Sequence, residues 1–247
     1  SLVLTNANGC SDSASLAVTV FGLPVAQIDS AGPLAFCQGD SVILRSANSG
    51  NYQWYRNGAA ISSDSFVVAN QSGTYSLVLT NANGCSDSAS LAVTVFGLPV
   101  AQIDSSGPLS FCSGDSVILR SANNGNYQWY RNGAAVSTDS FITVSTSGTY
   151  SLVLTNTNGC SDSASLAVTV FGLPVAQIDS AGPLAFCQGD SVILRSANNG
   201  NYQWFRNGAA LSTDSFVVAN QSGTYSLVLT NANGCSDSAS LAVTVFG

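Results

Sequence analysis

Seven cysteine thiols are the side chains of this 247-residue sequence best suited to covalent chemistry. Cys10, Cys85, Cys160 and Cys235 recur every 75 residues in the context Asn-Gly-Cys-Ser-Asp. Cys37, Cys112 and Cys187 recur at the same interval in the context Phe-Cys-x-Gly-Asp. Thiols so spaced either form disulfides in an oxidising compartment or ligate zinc. Zinc fits poorly, because there is no histidine and no Cys-x-x-Cys pair. No D-x-D-x-D-G loop is present to hold calcium. No metal and no cofactor is therefore expected. Serine is abundant, but no histidine or lysine exists to activate a hydroxyl nucleophile. Nothing places two aspartates together in a pocket for acid–base work. The chain reads as a non-enzyme with no catalytic residue.

Composition narrows the partners. Charged residues make up 8% of the chain, and the formal charge is −7, from 13 aspartates and six arginines. An acidic chain without lysine lacks the basic footprint that nucleic acid requires. No apolar run approaches the roughly 18 residues of a membrane span, so no membrane insertion is expected. No leader segment is recognisable, and the sequence reads as a piece of a longer chain.

The elements that must position the cysteines come in copies. Ser-Leu-Val-Leu-Thr-Asn starts at Ser1, Ser76, Ser151 and Ser226. Residues 23–97, 98–172 and 173–247 are full copies, and residues 1–22 are the closing hairpin of a preceding one. The first and third copies differ at four positions: Ser49/Asn199, Tyr55/Phe205, Ile61/Leu211 and Ser63/Thr213. Serial copies add reach or avidity, whereas a catalytic domain gains nothing from them.

Each copy reads as all-β. Tyr75, Leu77 and Leu79 alternate with polar or outward residues, as do Val42 and Leu44, and Leu91, Val93 and Val95. Asn57-Gly58 and Asn83-Gly84 are hairpin signals. About seven short strands in 75 residues predict a small sandwich. Its core centres on Trp54 and Tyr75, with Trp129, Tyr150, Trp204 and Tyr225 as counterparts.

These landmarks resemble the immunoglobulin-like superfamily. Gly39–Leu44 looks like its strand B, Tyr52–Gly58 like strand C with the core tryptophan, and Ser72-Gly73-Thr74-Tyr75 like the tyrosine corner opening strand F. The resemblance implies tandem immunoglobulin-like β-sandwiches forming an extended rod. Ser46 and Leu77 stand where an antibody domain would carry its inter-sheet disulfide. The cysteine placement is similar instead to the Ig-like and PKD-like repeats of giant secreted surface proteins of Bacteroidota. These include adhesins, filamentous appendages and a hook-like appendage subunit. That likeness implies type IX secretion and a place on the bacterial cell surface.

Two cysteine pairings are open within the chain. Pairing within copies gives Cys37–Cys85, Cys112–Cys160 and Cys187–Cys235. In an immunoglobulin sandwich, however, the start of strand B and the end of strand F lie at opposite poles. A strand of six to eight residues spans roughly 20–27 Å, and a disulfide needs Cα atoms within about 7 Å. The short linker Phe96-Gly97-Leu98-Pro99 makes consecutive copies abut. The preferred pairing is thus a ladder between copies, Cys37–Cys160 and Cys112–Cys235, with Cys10, Cys85 and Cys187 pairing beyond these residues. Pairing between separate chains is a third arrangement.

All 13 aspartates precede serine. Asp-Ser before a small or aliphatic residue resembles the O-glycosylation motif of Bacteroidota, which marks Ser30, Ser41 and Ser88 as candidate acceptors. Turn formation by Asp and Ser side chains accounts for the same pattern. Alternation also turns Ile43, Tyr55, Val67, Val78 and Phe96 away from the core. Repeated every 75 residues, they would form a stripe for lateral contact with a second chain, although cover by loops and linkers is equally open.

The chain is expected to be a structural or adhesive segment of a giant extracellular repeat protein, building a rod or bundled filament by homo-oligomerisation. Two other readings stay open. One is a multivalent module that binds cell-surface glycans or proteins through loops 47–51 and 81–84. The other is a passive spacer beside a domain elsewhere in the parent chain.

Overall fold

Strict alternation of apolar and polar residues, broken by turns that demand glycine or asparagine, yields strands and no helix. The computed structural model describes residues 1–247, which divide into two compact units. Ser1–Leu98 form the first together with Asn158–Cys160, and Pro99–Thr157 with Ser161–Gly247 form the second.

The first unit opens with the antiparallel hairpin β1 (Leu2–Thr5) and β2 (Ser11–Ala14). One sandwich follows, built from β3 (Ile28–Ser30), β4 (Ala35–Cys37), β5 (Val42–Ser46), β6 (Asn51–Arg56), β7 (Ala59–Ser62), β8 (Phe66–Ala69), β9 (Gly73–Thr80) and β10 (Ser86–Phe96). Three strands in the order β3-β5-β8 make one layer, and five in the order β4-β10-β9-β6-β7 make the other. Strands B, C, F and G of the immunoglobulin pattern are β5, β6, β9 and β10.

The second unit repeats this sandwich twice. The first repetition uses β11 (Ile103–Ser105), β12 (Ser110–Cys112), β13 (Val117–Ser121), β14 (Asn126–Arg131), β15 (Ala134–Ser137), β16 (Phe141–Val144), β17 (Gly148–Thr155) and β18 (Ser161–Phe171). The next uses β19 (Ile178–Ser180), β20 (Ala185–Cys187), β21 (Val192–Ser196), β22 (Asn201–Arg206), β23 (Ala209–Ser212), β24 (Phe216–Ala219), β25 (Gly223–Thr230) and β26 (Ser236–Phe246). The fold is three immunoglobulin-like β-sandwiches in tandem.

Each core is small and apolar. Val42, Leu44, Trp54, Ala69, Tyr75, Leu77 and Val93 are buried together in the first sandwich. The polar atoms brought inside find backbone partners, as burial requires. Trp54 Nε1 donates to the carbonyl of Asp64 at 3.0 Å. The Tyr75 hydroxyl donates to the carbonyl of Gln71 at 3.1 Å, which closes the tyrosine corner. Trp129 and Trp204 repeat the first bond, and Tyr150 and Tyr225 the second.

The turns follow their residues. Asn57 and Gly58 both take positive φ, 49° and 84°, as a two-residue hairpin between twisted strands requires. The Asn57 side-chain oxygen also accepts the amide of Thr74, tying this turn to the start of β9.

Two expectations change. Each sandwich has eight strands, because Ala35–Cys37 forms a short strand pairing parallel with Thr94–Phe96 at the end of β10. Val67 does not face outward. With Ala69 it points inward from β8 and packs on the core, and its counterpart Val217 is 5% exposed. The outward positions of β8 are Phe66 and Val68, exposed by 47% and 49%. A run of three apolar residues carries no phase of its own, and packing turns Val67 inward and its two neighbours outward.

Candidate functional site: a braced joint between repeats

The cysteines and the linker meet at one place, seen within the second unit where the copy 98–172 passes into the copy 173–247. Strand β12 lies parallel to the end of β18, with Cys112 opposite Phe171. The Ser113 amide donates to the Phe171 carbonyl at 2.8 Å, and the Asp115 amide to the Cys112 carbonyl at 3.1 Å. Cys112 is thereby fixed beside the last residue before the linker Gly172-Leu173-Pro174-Val175-Ala176.

The other half is the turn between β25 and β26. The Gly234 amide donates to the Asn231 carbonyl, and the Asn231 amide to the Cys235 carbonyl. Gly234 has φ 82°. This is a tight turn closed by a left-handed glycine. The side-chain oxygen of Asn231 accepts the amides of Asn233 and Cys235 at 3.0 and 3.1 Å, which stiffens the turn from inside.

These halves are joined covalently. Cys112 and Cys235 form a disulfide with Cα atoms 5.6 Å apart, and Cys37 and Cys160 form another at 5.5 Å. Each spans 123 residues and links one copy to the next. The structure does not hold the within-copy pairs Cys37–Cys85, Cys112–Cys160 and Cys187–Cys235. The reason is length: Cys37 sits beside Phe96 and Cys85 just before Ser86, at opposite ends of the eleven-residue β10. Ten residue steps of extended chain amount to about 33 Å. Cys10, Cys85 and Cys187 are free thiols.

Polar side chains clamp the linker beside the disulfide. Asn231 Nδ2 donates to the Gly172 carbonyl at 2.9 Å. Asn198 Nδ2 donates to the Val175 carbonyl at 2.9 Å. The Ala176 amide donates to Asp237 Oδ2 at 2.8 Å. In the first unit Asn81, Asn48 and Asp87 hold Gly22, Val25 and Ala26 in the same way. The clamp lowers the Asp237 pKa below the usual carboxylate range, chiefly through the Ala176 amide and then through that of Ser238. Asp87 and Asp162 shift the same way, through Ala26 and Ala101 first. The sequence reading missed these asparagines and aspartates as linker ligands. Their only signal is recurrence in every copy, 23, 59 and 61 residues after the linker residue that each one holds.

The remaining candidates are scattered. Ser30, Ser41 and Ser88 are exposed. Ser30 Oγ donates to the Gly32 carbonyl and accepts the Gly32 amide, so it shapes a turn. The Asp64 amide and carboxylate both bond to Ser62, another turn role. Ile43, Tyr55, Val78 and Phe96 are half-buried and lie outside the core cluster. No three potential ligands gather as a metal site. A surface groove of about 430 Å³, lined by Arg120, Asn124, Tyr127 and Phe141 among others, recurs at about 440 Å³ beside Arg195, Asn199, Tyr202 and Phe216.

No family model matches the chain, and no curated protein matches it. Among solved structures it is similar to an I-band fragment of titin at 14% identity, covering 92% of this chain and 100% of that one, with a TM-score of 0.49. It is similar to extracellular domains 3–5 of Drosophila OTK at 13% identity, covering 86% and 94%, with a TM-score of 0.40. It is also similar to the N-terminal eight Ig domains of Down Syndrome Cell Adhesion Molecule at 16% identity, with a TM-score of 0.46. That match covers 89% of this chain and 37% of the other.

Proposed function

We propose that the chain is a structural and adhesive segment of a giant extracellular repeat protein, serving as a rod or bundled filament at a bacterial cell surface. The observation that carries this reading is the pair of disulfides linking successive copies. A disulfide that staples a small domain closes within it, whereas these hold neighbouring copies together. Disulfides persist in oxidising, extracellular compartments. The free partner is a second copy of the chain, meeting it laterally through apolar outer positions such as Ile61, Phe66 and Val68, which are 43–49% exposed. Electron microscopy of native material tests the proposal. Regular multi-stranded fibres are expected, and lone flexible chains would overturn the bundled form.

The recurring groove beside Tyr127 and Tyr202 favours a second reading, a multivalent module for surface glycans or proteins. An aromatic ring with an arginine and an asparagine offers both stacking and hydrogen bonding. Specific binding on a glycan array, weakened in Tyr127→Ala and lost when Tyr202→Ala is added, would select this reading.

A further inference from the structure

The groove beside Tyr127 is formed by β13, β14, β16 and the residues flanking them, and its lining holds one arginine, Arg120, and no aspartate. The groove beside Tyr202 repeats this, with Arg195 as its one charge. The chain has 13 aspartates to six arginines, yet no lining carboxylate offsets these two cations. Other grooves of the second unit differ: two hold Asp115 or Asp190, and a third holds Asp139 beside Arg131.

Arg120 is exposed and unpaired. Asp104 stands directly opposite it in the β11–β13 register, but the Asp104 carboxylate accepts Gln102 Nε2 at 3.2 Å and makes no ion pair with the guanidinium. Asp179, Arg195 and Gln177 repeat the arrangement. The side chains of Asn124 and Tyr127 are likewise without a hydrogen bond. On its other side Arg120 faces Phe141 across the β13–β16 pair, as Arg195 faces Phe216. These two rings are 53% and 47% exposed.

Bonds within the chain hold the groove wall in place. The Ser121 amide donates to the Ser140 carbonyl at 3.0 Å, and the Ser121 hydroxyl to the Asn123 carbonyl at 2.7 Å. Asn123 Nδ2 donates to the linker carbonyl of Val100 at 3.0 Å. Asn124 lines the groove from this anchored loop. A wall already ordered loses little entropy on binding.

We propose that each groove binds one sugar residue of an acidic polysaccharide, a residue that carries a carboxylate or a sulfate. The planar guanidinium of Arg120 takes two oxygens of the anion side by side. Asn124 offers a donor and an acceptor to ring hydroxyls. The exposed Phe141 ring covers the apolar C–H face of the sugar. The grooves of Arg120 and Arg195 lie on successive copies of one unit, so a polymer that fills one meets the other at high effective concentration. The net charge of −7 opposes long-range attraction. Binding is therefore weak for a single sugar and strengthens with polymer length. The inference names the ligand class of the second functional reading and rests on that reading.

The test is calorimetric titration of the oxidised full chain with four polymers: polygalacturonate, dextran sulfate, fully methyl-esterified polygalacturonate and polyglutamate. Polygalacturonate or dextran sulfate should bind, and the one that binds identifies the anion. The neutral ester and the acidic peptide should bind at least about tenfold more weakly, the factor that about 1.4 kcal/mol confers. The triple substitution Arg45→Gln, Arg120→Gln and Arg195→Gln should weaken binding of the acidic polysaccharide by at least about the same factor. Arg45 is included as the counterpart in the copy 23–97, which has Ser49 where the others have asparagine. The thermal midpoint of the triple variant should match that of the parent, since Arg120 bonds to nothing in the fold. Failure of both acidic polysaccharides to bind, equal binding of the neutral ester or of polyglutamate, or a triple variant that binds like the parent would overturn the proposal. The second reading is tested apart from this by the glycan array, where specific binding of a neutral glycan would keep it standing.

Discussion

The Cα atoms of Cys112 and Cys235 stand 5.6 Å apart across 123 residues of sequence, because the strand carrying Cys112 runs beside the last residues before the linker. The next copy must begin there, and its Asn231–Cys235 turn reaches back over the linker to meet the thiol. Topology, more than local propensity, makes the bond.

Removing that bond should be costly. A cross-link closing about 120 residues restricts the unfolded chain by about 4–5 kcal/mol on a chain-entropy account, within a typical range of 2–5 kcal/mol for native disulfides. The double substitution Cys112→Ala and Cys235→Ala leaves no orphan thiol and should lower the denaturant midpoint accordingly. An unchanged midpoint would show that the joint is held by its polar clamp alone.

Acid should loosen the clamp before it unfolds the sandwiches. The Asp162 carboxylate accepts the Ala101 amide at 2.8 Å, and its pKa is lowered in the folded chain by that bond first and by the Ser163 amide second. A lowered folded pKa means that its contribution is present above the ordinary carboxylate value of about 3.9 and fades as pH falls through the folded value. The Ala101 and Ala176 amides should therefore exchange hydrogen faster in strong acid than between pH 5 and 7, after correction for intrinsic rates. Asp162→Asn should remove the pH dependence at Ala101 and leave it at Ala176. A pH-independent Ala101 in the parent chain counts against the clamp.

Gly125 is constrained by packing. A Cβ there would stand 2.8 Å from Leu154 Cδ1 and 2.9 Å from the Thr155 carbonyl oxygen, and Leu154 is a fully buried core residue. Gly125→Ala should cost about 1–3 kcal/mol through overpacking. Gly172→Ala meets no atom within 4 Å and serves as the control. Equal thermal midpoints for the two variants would refute the assignment.

How far these features can be read from sequence depends on how local they are. Trp54, Tyr75 and the Asn57-Gly58 turn announce themselves through residue type and short spacing. The bulk of the sandwich follows from them. Opposite poles for the two cysteine classes follow too, once strands B and F are placed. Ala35–Cys37 is three residues long and shows no alternation, and its partner strand lies almost sixty residues away, so its pairing leaves no local trace. The Asn81 and Asp87 contacts with the linker are equally distant in sequence. Val67 shows the other limit: inside Phe66-Val67-Val68 only the packed partner decides which residue turns inward.

The bridges also decide how the chain carries tension. Pulled from Ser1 and Gly247, the shortest covalent path runs to Cys37, crosses to Cys160, returns along the chain to Cys112, crosses to Cys235 and continues out. Residues 38–111 and 161–234 are bypassed and bear no load. The loaded path is roughly 100 residues, about 350 Å when fully extended, against about 880 Å for the reduced chain at some 3.6 Å per residue. Single-molecule stretching of the oxidised chain should therefore reach its final contour length at about 40% of the reduced value, a ratio derived from those extended lengths. Most of the first and third sandwiches should stay folded at forces that open the second, since the bypassed segments hold six of the eight strands of the first and seven of the eight of the third. Equal contour lengths with and without reductant would mean that the ladder carries no force, and the joint would then be a device for assembly alone.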